Sequence, residues 1–279
     1  MLANLPEFKT GWCIPEARQW VLAIFAFCVS PVEAGAEIPA DLELVLAIDT
    51  STSVDAQEFA LQKQGLYEAF LHPEVVRAIQ SAGEYGVAVS VVQWAGSYQQ
   101  QTVVDWMLLR DEASAAAFAA RIGAAPRAFS GLTDIAGVIR YSTASIESNA
   151  YAGKRRAIDI SGDGTSDIAR CEEERDLAVS RGVTINGLVI YSDDHDLGAL
   201  AVLNLRDHYA FHVIGGPGAF LMSAENFEDF RTAIRRKLLR EIIGVFAADA
   251  GNSSTATDVP EIITDFDMNQ GISAAFVHR

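Results

Sequence analysis

Basic charge is what this chain lacks most. Of 279 residues, 21 are Lys or Arg against 37 Asp or Glu, a formal net charge of −16. Nucleic-acid binding draws its affinity largely from basic side chains that neutralise phosphates, so the balance argues against that class. It argues equally against docking on anionic lipid head groups. The acidity itself serves solubility. Cysteine is scarce too: Cys13, Cys28 and Cys171 are the three present, with no C-x-x-C pair for zinc or redox work. Nor does any apolar run approach the ~20 residues needed to span a bilayer.

One short apolar run does carry information. Val21 to Val29 (VLAIFAFCV) is preceded by Arg18 and followed by Pro31, and Ala34-Gly35-Ala36 then offers an A-x-A cleavage pattern. This is the form of a secretory signal peptide over residues 1–36, with Glu37 as the first mature residue. The n-region is weak, because Lys9 and Arg18 are offset by Glu7 and Glu16; the alternative is a buried hydrophobic segment. Phe27 stands where a lipoprotein signal needs a small residue before its cysteine, so no lipid anchor is expected. Export would remove Cys13 and Cys28, leaving Cys171 alone and no intramolecular disulfide.

What is present is apolar and ordered. Half the residues are hydrophobic, which suits one sizeable domain. Leu42 to Ile48 (LELVLAI) reads as a buried strand ending at Asp49, followed by helical spacing through Leu71. Gly86 to Trp94 and Thr102 to Leu109 read as strands whose short polar connector allows antiparallel pairing. Helices are expected over Asp111 to Ile122, Thr133 to Ile146, Arg170 to Ser180 and around Leu197 to Leu205. Strands are expected at Arg156 to Ser161, Val183 to Tyr191 and Ala210 to Ile214. A long helix over Ser223 to Ile243 has a basic second half (Arg231, Arg235, Arg236, Lys237, Arg240) that reads as a solvated face.

Such alternation predicts an α/β, doubly wound and mostly parallel sheet with helices on both faces. The domain covers residues 40–245, and a polar, flexible tail occupies 246–279. Asp265, Asp267 and Asn269 superficially resemble an EF-hand loop, but Gly271 falls one place late and Phe276 stands where a bidentate Glu is needed.

The chemistry lies at predicted strand ends. Asp49, Ser51 and Ser53 form D-x-S-x-S directly after the first strand. A carboxylate beside two hydroxyls suits a hard, oxygen-loving cation. Alone the pattern is equally that of helix-capping residues. Thr133 after Gly131-Leu132 adds a third hydroxyl, and Asp163 in ISGDG adds a carboxylate at another strand end. In these five positions the chain resembles the von Willebrand factor A family and its metal-ion-dependent adhesion site, over roughly residues 40 to 245. More narrowly it is similar to the DUF1194 group of exported bacterial proteins.

The resemblance implies one antiparallel edge strand in the sheet, in agreement with the Thr102 to Leu109 reading. It implies one divalent metal, Mg²⁺ (or Mn²⁺ or Ca²⁺), at Asp49, Ser51, Ser53, Thr133 and Asp163. The expected function is a non-catalytic, metal-dependent binding module whose metal takes a carboxylate from a partner protein. Export of a bacterial protein places it in the periplasm or outside the cell.

Asp134 and Asp167 flank the site; they read as a first-turn helix acid and a cap or loop residue. His195 reads as a solvated loop residue because no second His or Cys lies near. Cys171 reads as a small buried residue. One enzyme class offers an alternative. Gly162-Asp163-Gly164-Thr165-Ser166-Asp167 resembles the acidic metal motif of haloacid dehalogenase-type phosphatases. Their nucleophile segment is D-x-D, however, and Ser51 stands where the general-acid Asp belongs. Lys154 also lies too close to the acidic motif to match theirs.

Overall fold

The computed structural model describes residues 37–191, 199–244 and 261–262. The chain divides into two units, Met1–Ala36 and Glu37–Arg279, and every described residue belongs to the second. The Val21 to Val29 run, His195, and the tail outside 261–262 therefore lie outside the described residues.

Strand β1 (Ile38–Asp49) runs through the centre of the sheet because nearly all of it is apolar on both faces. Leu42, Leu44, Leu46 and Ile48 enter one core layer, while Val45 and Ala47 enter the other. Helices α1 (Ala56–Leu71) and α2 (Pro73–Ser81) follow, then the antiparallel pair β2 (Val87–Trp94) and β3 (Gln100–Leu109). Next come α3 (Glu112–Ala124), α4 (Ile135–Ser148), β4 (Tyr151–Gly162), α5 (Ile168–Ser180), β5 (Thr184–Ile190) and α6 (Ala199–His208). A π-helical segment (Tyr209–Val213), β6 (Phe220–Ala224), α7 (Phe230–Ile243) and the two-residue β7 (Glu261–Ile262) complete the described chain.

The sheet order is β3-β2-β1-β4-β5-β6-β7. All pairs are parallel except β2 with β3, so the antiparallel edge strand is where the Thr102 to Leu109 reading put it. One core layer lies under α1, α2, α3 and α7; the other lies under α4, α5 and the π-helical segment. Among the described residues no helix is long and apolar enough to cross a membrane.

Three expectations change. Ala210 to Ile214 is not a strand: Tyr209, Ala210 and Val213 are buried at helical spacing, and they bring the segment down beside the sheet. The strand there is Phe220–Ala224, too short to stand out by alternation. Helix α7 starts at Phe230 rather than Ser223, because Ser223 and Ala224 belong to β6. Its basic half is not uniformly solvated either. Lys237 is fully buried, 2.8 Å from Asp159 Oδ1 and 3.1 Å from Glu241 Oε1.

Candidate metal centre

The carboxyl ends of β1 and β4 lie side by side, with Ile48 paired to Ser161. That register brings Asp49 and Asp163, far apart in sequence, to one rim. Asp49 is fully buried, and its Oδ1 accepts from the Ser51 backbone N–H at 2.7 Å. The Ser53 hydroxyl donates to Asp163 Oδ1 at 2.7 Å, and the Ser51 and Ser53 hydroxyl oxygens stand 3.0 Å apart. Four of the five sequence-predicted residues thus form one connected group. Thr133 joins beside it: a Cβ on Gly164 would lie 3.0 Å from the Thr133 hydroxyl oxygen. Glycine at that position lets the Asp163 loop close on Thr133.

The capping alternative fails here on geometry. The N-cap of α1 is Asp55, in a full capping box with Glu58. The N-caps of α4 and α5 are Asp134 and Asp167. None of Asp49, Ser51, Ser53, Thr133 or Asp163 caps a helix, and four of them bond one another instead. Asp134 is a cap rather than a first-turn acid. It also accepts from the Ser97 hydroxyl (3.1 Å) and pairs with Arg170 (3.3 Å).

The electrostatics of this group favour positive charge. Burial, then the nearby Asp163 charge, raise the Asp49 carboxyl to about 7, although Ser51 and the Asp163 backbone offset part of this. Asp49 Oδ2 is buried with no hydrogen-bond partner. A divalent cation fits such a set: two carboxylates whose repulsion it would cancel, three neutral hydroxyls, and oxygen donors throughout. Among the described residues no group of three or more His, Cys, Asp or Glu forms a site for a softer metal.

Several supporting residues gave no signal in the sequence. Arg127 donates to the carbonyls of Thr50 (2.9 Å), Ser51 (2.8 Å), Val54 (2.7 Å) and Asp55 (3.2 Å), pinning the D-x-S-x-S turn from beneath. Thr50 bonds Trp94 O through both its N–H (2.8 Å) and its hydroxyl (2.9 Å). The floor is formed by Tyr209 and Trp94. A Cβ on Gly162 would lie 2.7 Å from Tyr209 Oη, 2.9 Å from Asp49 Oδ2 and 3.2 Å from Trp94 Cζ2. His208 is buried and its Nε2 accepts from Ser166 N–H at 3.2 Å, holding the loop that follows Asp163. Cys171 is buried with its thiol pushed up to about 11 by burial, as an inert thiol should be.

The phosphatase alternative finds no counterpart. The Ser51 hydroxyl is far too weak an acid to protonate a leaving group at neutral pH as a carboxylic acid can. Lys154 sits near the opposite end of β4 and pairs with Asp41 at 2.7 Å.

Comparisons with known proteins bear on the fold. No curated protein matches the chain. Among solved structures, the pilus adhesin SpaC from Lactobacillus rhamnosus GG aligns with a TM-score of 0.52 at 15% identity, covering 73% of this chain and 30% of that one. Proximal thread matrix protein 1 from the mussel byssus gives 0.52 at 15%, covering 74% and 49%. A von Willebrand factor type A protein from Catenulispora acidiphila gives 0.51 at 14%, covering 73% and 43%. The chain spans less than half the length of each of these solved chains, and at such identities the likeness is one of fold. A family model described as "Protein of unknown function (DUF1194)" matches residues 39–246, most of the chain. With a von Willebrand factor A-type fold and that match, the chain belongs to the DUF1194 family.

Proposed function

We propose that this protein is an exported, metal-dependent binding module. Asp49, Ser51, Ser53, Thr133 and Asp163 would hold one divalent cation, Mg²⁺ or else Mn²⁺ or Ca²⁺. When bound, the cation supplies a Lewis-acidic position for a carboxylate oxygen of a partner protein. The chain's own residues do the rest. Arg127 fixes the turn that presents Ser51 and Ser53, and Asp134 fixes the loop that presents Thr133. The observation that carries this reading is the buried Asp49 Oδ2 without a hydrogen-bond partner, beside three hydroxyls and a second carboxylate, none of them capping a helix. Buried carboxylates left in that state are destabilising unless something compensates them. Adhesion as the purpose is in keeping with the fold shared with a pilus adhesin.

The test is thermal unfolding with and without metal. Mg²⁺ or Mn²⁺ should raise Tm, because a ligand of the native state stabilises it by mass action. EDTA should reverse the rise and Asp49→Ala should abolish it. An unchanged Tm across metal, EDTA and variant would sink the proposal.

A further inference from the structure

Tyr98 and Leu132 are the most exposed large hydrophobic side chains among those described, at 93% and 80%. They occupy adjoining loops at the rim of the metal centre. Leu132 directly precedes Thr133. Tyr98 lies in the β2–β3 turn, where a Cβ on Gly96 would stand 3.6 Å from that of Leu132. Both loops are held in place. Gly96 N–H donates to Gln99 Oε1 (3.0 Å), Ala95 N–H to Gln99 O (2.9 Å) and Asp134 N–H to Ala95 O (3.0 Å). Thr52 N–H donates to Gly131 O (2.8 Å), tying the Leu132 loop to the D-x-S-x-S turn.

Tyr98 is also the one described non-glycine residue with positive φ, at 62°. A tyrosine in that conformation is strained, and strain of this kind gathers at binding sites. Here it holds an aromatic ring out in solvent on the loop next to that of Leu132 and Thr133.

Whole-molecule charge narrows what the ring meets. A protein of net −16 repels a broadly acidic surface, so only the cation attracts an acid. The partner must therefore offer its acidic side chain singly, in surroundings that are not themselves acidic. We propose that Tyr98 and Leu132 are the specificity patch of the metal site, reading an aromatic or aliphatic side chain next to the partner's single acidic residue. This rests on the metal-dependent reading above and adds the chemistry of the partner. Loops already held by hydrogen bonds lower the ordering cost of binding.

The test pans a display library of linear peptides on the full chain in Mg²⁺ and elutes with EDTA. The eluted pool should be enriched in peptides with one Asp or Glu beside an aromatic or aliphatic residue. A Tyr98→Ser/Leu132→Ser variant should keep the acid requirement, lose the apolar one, and bind a selected peptide at least about tenfold more weakly. The same variant should retain the full Mg²⁺-dependent rise in Tm, which separates the patch from the metal site. Acid-rich peptides with no apolar neighbour, unchanged peptide binding by the variant, or an empty pool from a chain that still responds to Mg²⁺ would each overturn the patch alone. A chain with no thermal response to metal would remove the underlying metal reading as well.

Discussion

Gly162 sets how closely the site is built. Its hydrogen faces a space already shared by Tyr209 Oη, Asp49 Oδ2 and Trp94, all within about one atomic contact of where a methyl group would stand. In Gly162→Ala that methyl would lie 2.7 Å from Tyr209 Oη, so the ring or the carboxylate must move. The expected cost is about 1–3 kcal/mol, the usual range for overpacking a filled interior. Because the carboxylate is one of the groups displaced, the Mg²⁺-dependent increment in Tm should shrink too. Paired thermal scans with and without Mg²⁺ measure both effects. A full metal increment in the variant would show that Asp49 does not depend on this packing. The residue is invisible to sequence reasoning as a site residue, because ISGDG is read for its Asp. Only the placement of Tyr209 beneath it gives the glycine its meaning.

Between elements, two buried groups decide how helices are held to the sheet. Lys237 of α7 reaches Asp159 of β4, and Glu241, one turn on, accepts from Asn186 of β5 at 2.8 Å. The Asp159 carboxyl is raised by burial, with the Lys237 charge opposing the rise. The contact is a charge pair rather than an aligned hydrogen bond. Removing the cation leaves two carboxylates buried together, so Lys237→Met should destabilise by about 3–5 kcal/mol in urea titrations at neutral pH. Adding Asp159→Asn should recover part of that loss; no recovery would mean the lysine acts through packing instead.

His208, at the end of α6, is the second such group. Burial, with a smaller contribution from His212, lowers its imidazole to about 4. An unfolded histidine titrates near 6.5, so between about pH 4 and 6.5 the unfolded chain binds more protons than the folded one. Stability from neutral His208 is therefore present above pH 6.5 and lost as pH falls through that window. The acid-side loss should be smaller in His208→Gln than in wild type, by up to roughly 3 kcal/mol. Equal losses would mean that His208 does not govern the acid response.

On the scale of the whole molecule, β1 begins at Ile38, one residue after the proposed export cleavage point. Removal of residues 1–36 would leave every described strand and helix complete. N-terminal sequencing of protein recovered from the cell envelope or medium should therefore start at Glu37. Recovery only of chain beginning at Met1 would count against export. Net charge acts at this scale as well, opposing association with broadly acidic surfaces.

Much of the fold was legible because its cause is local. The apolar run of LELVLAI, helical spacing after it, and the short β2–β3 connector are properties of neighbouring residues. They are enough to predict a mostly parallel sheet with one antiparallel edge. The oxygen donors could be named for the same reason, since a strand end followed by D-x-S-x-S is a local pattern. What reads falsely is also local. YAFHVI looks like a strand until its burial at helical spacing is seen, and a run of basic residues looks solvated until one of them is found facing Asp159.

Sequence by itself determined which class of fold is built and which oxygen-bearing side chains stand at its strand ends. Tertiary structure alone decided that capping falls to Asp55, Asp134 and Asp167, that Arg127 braces the turn, that Tyr209 closes the floor, and that Tyr98 and Leu132 flank the opening. The physical reason is range. Those relations join residues brought together by strand order and packing, and periodicity along one dimension carries no record of them.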